Sequence, residues 1–308
     1  MTLSNFLYEN IYKRLFGKKW PIWLGGVILG IINILMFLYL IPIAGIYPAI
    51  AEWGIWTYRL AGLEIEPPWG TLEPLYLSMK SVISFGLILG AFIGALLSRE
   101  FRIRKATIGA YLQSSAGGVL MAIGSFWAGS CIMGGFFSSI MALSLSGFYM
   151  MVGLIAGGYI GGKVTIWQMS NNPAQIDKSI AHGLREENSR APLPKIGVFV
   201  TIILLVIALA YFLNGKNHFG VMALFGAAFG FVVQRSDFGC STAFREILTT
   251  KNNAKMRGLL ISLIVGVIGF FIIKASALKP TFVSVGPAGW HGVLGGAIFG
   301  LGMVIADG

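Results

Sequence analysis

Eight stretches of this chain stay apolar for long enough to cross roughly 30 Å of hydrocarbon. They fall at about 21–41, 76–98, 107–127, 148–168, 196–213, 219–233, 258–275 and 290–306, and predict eight transmembrane helices. Two shorter apolar pieces, about 132–146 and 241–250, each follow a cysteine directly and predict half-helices. The polar positions between spans have two characters. Lys13, Arg14, Lys18 and Lys19 precede the first span, and Arg99, Arg102, Arg104 and Lys105 follow the second. Lys178, Arg185, Arg190 and Lys195 lie in the 169–195 loop, and Lys251, Lys255 and Arg257 precede the seventh span. Loop 42–75 sets Glu52, Glu64, Glu66 and Glu73 against Arg59 alone and carries Trp53, Trp56, Tyr58 and Trp69. Positive loops belong inside and an acidic, Trp-rich loop belongs at the outer interface, so the N-terminus is expected in the cytoplasm.

Composition agrees with an all-α integral membrane protein of the cell (plasma or inner) membrane. The chain is 56% hydrophobic and 11% charged, with a mean hydropathy of +0.78. A soluble domain carries about 25% charged residues. The net charge of +11 sits mostly in short loops, so it is a topology signal and no nucleic-acid footprint. The 42 glycines suit close helix packing and interrupted helices. No cleavable signal is expected: residues 1–19 are mixed polar, and the apolar run after them is too long for a signal h-region.

An internal repeat is visible. Gly117-Gly-Val-Leu-Met-Ala-Ile-Gly-Ser-Phe-Trp-Ala-Gly-Ser130 aligns without gaps to Gly295-Gly-Ala-Ile-Phe-Gly-Leu-Gly-Met-Val-Ile-Ala-Asp-Gly308. Gly26-Val-Ile-Leu-Gly30 matches Gly226-Ala-Ala-Phe-Gly230 more weakly. Under the charge-derived topology, 21–41 and 219–233 run in opposite directions, as do 76–98 and 258–275, and 107–127 and 290–306. The expectation is one transmembrane domain over 1–308. It holds an inverted-topology repeat, with repeat one at about 20–168, a connecting loop and span at 169–215, and an incomplete repeat two at about 217–308. Substrate sites in such folds lie at the repeat interface near the midplane. The ungapped register sets Cys131 opposite position 309, one beyond Gly308.

Cys131 and Cys240 are the two cysteines of the chain, 109 positions apart (240 − 131). Cys131 sits in Trp127-Ala-Gly-Ser-Cys131-Ile-Met-Gly-Gly135, and Cys240 in Gln234-Arg-Ser-Asp-Phe-Gly-Cys240-Ser-Thr-Ala-Phe-Arg245. A disulfide framework and a zinc site are both unexpected at this spacing, and no metal or cofactor is expected. A buried cysteine is commonly a small hydrophobe. Here each precedes a half-helix, whose N-terminus turns N–H groups and partial positive charge into the break. A sulfur anion there meets backbone donors and a polarizable S–H together. Ser130, Ser241 and Thr242 flank the thiols as hydroxyl donors, although such residues also bond back to their own helix. Gln234, Arg235 and Asp237 end the sixth span. Either they are intramembrane functional groups, or Arg235 marks the cytoplasmic edge beside Asp237 or Glu246. Asn33 is a second polar position at membrane depth, and a helix–helix hydrogen bond explains it equally well. His182, His218 and His291 read as solvated loop or span-end residues.

The Gly-Gly run leading to Ala-Gly-Ser-Cys131-x-x-Gly134, with Gln234-Arg235-x-x-Phe238-x-Cys240-x-x-Ala-Phe-Arg245, resembles the YeeE/YedE family of sulfur-transport membrane proteins. The resemblance spans nearly the whole chain. It implies uptake of thiosulfate or a related small sulfur-containing anion along an hourglass pathway, with Cys131 and Cys240 as relay points. It also implies cooperation with a small cytoplasmic sulfur-carrier protein. Family members continue past the run at Ala306-Asp307-Gly308 into a Gly-Cys motif, another half-helix and a final span. A truncated sequence, a split gene or a selenocysteine codon read as stop would each account for the departure. Two rival functions remain open on the residues alone: a membrane sulfurtransferase whose thiol carries a persulfide, and a carrier for a selenium compound.

Overall fold

The structure is a computed structural model, and it describes Phe16 and residues 19–39, 46–63, 65, 67, 72–101, 108–171, 194–249, 252–278 and 288–306. The basic residues expected at 13–18, 102–105, 178–190 and 251 lie outside these residues, as do Glu64, Glu66, Trp69, His182 and the last two positions. Ten α-helices are described: α1 Ile22–Tyr39, α2 Tyr47–Leu60, α3 Met79–Leu97, α4 Ile108–Ala128, α5 Leu145–Asn171, α6 Pro194–Leu213, α7 Asn217–Ser236, α8 Cys240–Thr249, α9 Ala254–Ala275 and α10 Trp290–Ala306. A π-helical segment, Ile132–Ser138, continued by the turn Ser139–Met141, lies between α4 and α5.

Eight of these helices stand where the eight apolar stretches predicted them, but they do not all qualify alone as spans. Six stretches are long and apolar enough: α1, α3, α5, α6, α9 and the run from α7 into α8. α4 joins the π segment across a 50° bend, and the pair counts as a seventh when taken as one broken span. α10 has 17 residues, which at about 1.5 Å each reach about 26 Å. The 42–75 loop contains an element that hydropathy did not predict, α2, which starts on Tyr47-Pro48 and packs on α3.

Large apolar side chains point outward along the spans, as on α6, where Val198, Phe199, Ile202 and Leu205 are exposed. Such a surface suits lipid. The interior is held by aromatic contacts between elements: Phe37 stacks on Phe270 at 4.4 Å, and Phe137 meets Phe229 edge-on at 6.4 Å. Between helices the contacts are backbone on backbone, the packing that small residues permit in a bilayer.

Those contacts come in matching sets. α1 packs on α9, α3 on α7, and α4 on α10. A methyl on Gly30 of α1 would press on the Ser262 carbonyl of α9, and one on Gly230 of α7 on the Leu87 carbonyl of α3. The second contact is the first shifted in register (30 + 200 = 230; 262 − 175 = 87). On α4 and α10 the correspondence is internal. Gly117 faces the Gly302 carbonyl and Gly302 the Gly117 carbonyl, each with 2.6 Å available to a Cβ. Gly124 and Gly295 face one another the same way at 2.7 Å. The shift of 178 from the aligned glycine runs exchanges one pair for the other (117 + 178 = 295; 124 + 178 = 302).

Two ion pairs follow the same scheme. Lys80, second residue of α3, meets Glu52 of α2 at 3.3 Å. Lys255, second residue of α9, meets Glu246 of α8 at 2.8 Å. The helix shift again connects them (80 + 175 = 255), so α2 and α8 hold equivalent places. Glu52 is buried, and Ser78 and Ser81 both donate to its carboxylate.

Candidate substrate pathway

Each cysteine follows a helix stopped by a left-handed residue. α4 ends at Ala128 and the chain turns through Gly129 (φ +73°), a conformation glycine takes at no cost. Ser130 and Cys131 follow; Cys131 is extended and forms the N-cap of the π segment. α7 ends at Ser236 and turns through Asp237 (φ +50°), one of the few non-glycine types that tolerates this region. Three residues later Cys240 opens α8. The half-helices expected after both cysteines are present. The first is π-helical, a widened form often found at functional sites.

The π segment is fixed from three sides. Asn33 of α1 is fully buried and donates to Ser138 Oγ (3.2 Å) and Met141 Sδ (3.0 Å). Ser139 Oγ donates to the Gly134 carbonyl at 2.8 Å, and Gly135 N donates to the Cys131 carbonyl at 2.7 Å. Gly135 backs onto Met150 of α5. Beyond the segment, Lys274 Nζ of α9 donates to the Ala142 carbonyl at 2.6 Å.

The two cysteine segments meet. α8 packs against both α5 and the π segment, and the Phe136 and Phe244 rings sit edge to face at 5.2 Å. Cys131 is 9% exposed and Cys240 5%, and both are free thiols. Both thiols lie in the same buried core, where α8 meets the π segment.

The flanking candidates divide. Ser130 and Gly134 are buried beside Cys131. Ser241 and Thr242 lie half-buried on the first turn of α8, and Thr242 Oγ1 donates to the Gly239 carbonyl at 2.9 Å, back to its own backbone. Gln234 and Arg235 sit on the last turn of α7. The Gln234 stem lies against α3 at Gly94. Arg235 is fully buried, with Glu100 at 3.8 Å and the Phe16 ring at 5.9 Å. The sequence pointed to Asp237 or Glu246 beside Arg235; the structure brings up Glu100. Asp237 instead meets Lys19 at 3.0 Å and Lys255 at 3.8 Å. A buried guanidinium needs a nearby anion, and Glu100 reaches it because α3 ends beside α7. Among the described residues, no three His, Cys, Asp or Glu side chains group as metal ligands.

Sequence reasoning passed over Glu52 and Glu100. Glu52 was read as part of an acidic interfacial loop. The Ser78-Met-Lys80-Ser81 run that receives it was the available signal, since two hydroxyls and an ammonium on one turn make a carboxylate socket.

A family described as sulphur transport matches residues 4–160 and 235–308, about three quarters of the chain. The chain belongs to this family. Among similar proteins, the probable transporter YedE of Escherichia coli is 26% identical over 284 residues, covering 88% of this chain and 69% of that protein. The thiosulfate transporter TsuA of E. coli is 29% identical over 150 residues, 46% of this chain and 39% of that protein. TsuA of Spirochaeta thermophila is 34% identical over 108 residues, 33% of this chain and 32% of that protein. No solved structure matches. The YeeE/YedE resemblance thus holds, and the chain is a multi-pass membrane protein of a sulphur-transport family.

Proposed function

We propose that this protein carries thiosulfate, or a closely related small sulfur-containing anion, into the cell through the constriction at Cys131 and Cys240. The observation that supports it most is the convergence of two half-helix starts, each bearing a buried free thiol. A dianion left without partners at membrane depth faces a cost of tens of kcal/mol. Helix starts supply distributed N–H donors, and the thiols supply polarizable contacts for the sulfur end. No fixed cation needs to be adjacent, and such a cation would hold the ion too firmly for release. In this reading the halves at about 20–168 and 217–308 work as opposed repeats of a single domain, joined by 169–215. The N-terminus faces the cytoplasm of the inner membrane, where a small sulfur-carrier protein receives the cargo. The protein acts as a carrier and performs no covalent chemistry.

The test is uptake of sulfur-labelled thiosulfate into proteoliposomes by wild type, Cys131→Ser and Cys240→Ser. Wild type should accumulate intact label, and each variant should lose at least about tenfold in rate while remaining folded in the membrane. Unchanged uptake in both variants refutes the relay. A persulfide found on Cys131 or Cys240 by mass spectrometry, without intact transport, establishes the sulfurtransferase instead. Selenium compounds that outcompete thiosulfate would reassign the substrate.

A further inference from the structure

A small cavity lies where α2 begins, apart from the thiols. Ile46 at the N-cap of α2 lines it, with Ser84 and Leu87 of α3, Gly226 and Phe229 of α7, and Met133 of the π segment. It has room for little more than one water-sized group, and its walls are almost wholly apolar. Ser84 is 1% exposed, and among the described residues its hydroxyl has no hydrogen-bond partner. Several helical hydroxyls in this protein turn back on the preceding turn, Ser98 onto the Gly94 carbonyl, Thr201 onto Gly197 and Ser236 onto Val232, whereas Thr165 and Ser262 are buried and unmet like Ser84, without lining this cavity. Ser84 does not turn back, and an unmet buried hydroxyl is costly unless something else meets it. Ile46 offers no side-chain cap to α2; Ala49 N and Ile50 N donate to the Ile46 carbonyl and Pro48 has no N–H, so what the 14-residue helix brings to the same place is the partial positive charge of its start.

The position has a counterpart. The ion pairs equate Glu52 with Glu246. Six residues earlier in each helix stand Ile46 and Cys240 (52 − 6 = 46; 246 − 6 = 240). The cavity thus occupies, in one half, the place that a thiol occupies in the other, with the Met133 thioether as its sulfur.

We infer that this cavity is a binding station ahead of the thiols that seats the terminal sulfur atom of a thiosulfate-type anion. Ser84 O–H donates to that sulfur and the Met133 side chain contacts it, while the sulfonate oxygens face the start of α2. The inference rests on the transport reading above. Size and lining carry the choice of atom: a socket for one group, walled by carbon and one thioether, accepts a soft, weakly hydrated sulfur and penalises an oxygen that needs several donors. The station therefore separates thiosulfate from sulfate.

Uptake kinetics of labelled thiosulfate, with unlabelled sulfate as competitor, test this on wild type, Ser84→Ala, Ser84→Thr and Met133→Leu. Ser84→Ala should raise KM about five- to tenfold with maximal rate nearly kept, and should let sulfate compete better. Ser84→Thr, which keeps the hydroxyl, should stay within about twofold of wild type, and Met133→Leu should raise KM by a smaller factor. Wild-type KM and selectivity in Ser84→Ala overturn the station while leaving the transport reading intact. A Ser84→Thr defect equal to that of Ser84→Ala also overturns it, because packing would then explain both. Absence of thiosulfate uptake by wild type overturns the two readings together.

Discussion

Two adjacent glycines on α4 separate packing from every other consequence of a methyl group. A Cβ on Gly117 would lie 2.5 Å from Ala306 N and 2.6 Å from the Gly302 carbonyl oxygen, all backbone of α10; a Cβ on Gly118 meets nothing within 4 Å. Ordinary contact begins at 3.4 Å, so Gly117→Ala must open the α4–α10 seam by about 0.9 Å (3.4 − 2.5). A gap of 0.5–1 Å already forfeits about a quarter to a half of each dispersion contact along a seam. Overpacking of this kind costs about 1–3 kcal/mol. Both substitutions gain the same helix-propensity advantage of about 0.5–1 kcal/mol, so the difference between them isolates packing. Thermal unfolding of the detergent-solubilised protein, followed by size-exclusion fluorescence, should place Gly118→Ala at or above wild type. Gly117→Ala should unfold several degrees lower. No partner side chain can be trimmed to rescue it, because the opposing atoms are backbone. Equal midpoints for the two variants would refute the close seam.

Two other perturbations probe the constriction. Asn33→Leu removes the donor to Ser138, leaving a buried hydroxyl short of its partner at about 1–3 kcal/mol; Cys131 should become faster to label with maleimide, and an unchanged labelling rate would show that Asn33 does not hold the segment. Glu246 and Lys255 are 18% and 13% exposed, so a double-mutant cycle with Glu246→Gln and Lys255→Met should return a coupling of about 1 kcal/mol or more in unfolding free energy. A coupling near zero would mean that the pair does not fasten α8.

Helix positions were legible because lipid demands long apolar runs, and both half-helices were legible because Gly and Ser broke those runs beside the cysteines. Three things were not. α2 is mixed in character, with Arg59, Glu52 and four aromatics, so hydropathy registers it as loop. The pairing of Arg235 with Glu100 depends on where α3 ends beside α7, and no local pattern encodes a contact across 135 positions (235 − 100). The meeting of the two cysteine-bearing segments has the same origin. Each half-helix was readable by itself, but which faces they share is set by α5 and α9, which hold the two segments together.

The pairing of α1 with α9, α3 with α7 and α4 with α10 has a bearing on how the chain is made. None of the first three finds its main partner among helices synthesised before residue 217. Each must wait in the bilayer with a glycine-lined face toward lipid while 120 (217 − 97) to 215 (254 − 39) further positions of the chain leave the ribosome. Assembly is thus late and nearly simultaneous, and the first half gains little of its packing until the second arrives. Polypeptides severed between α5 and α6 should be unstable when produced separately and should recover one another when co-produced, as two hands clasp.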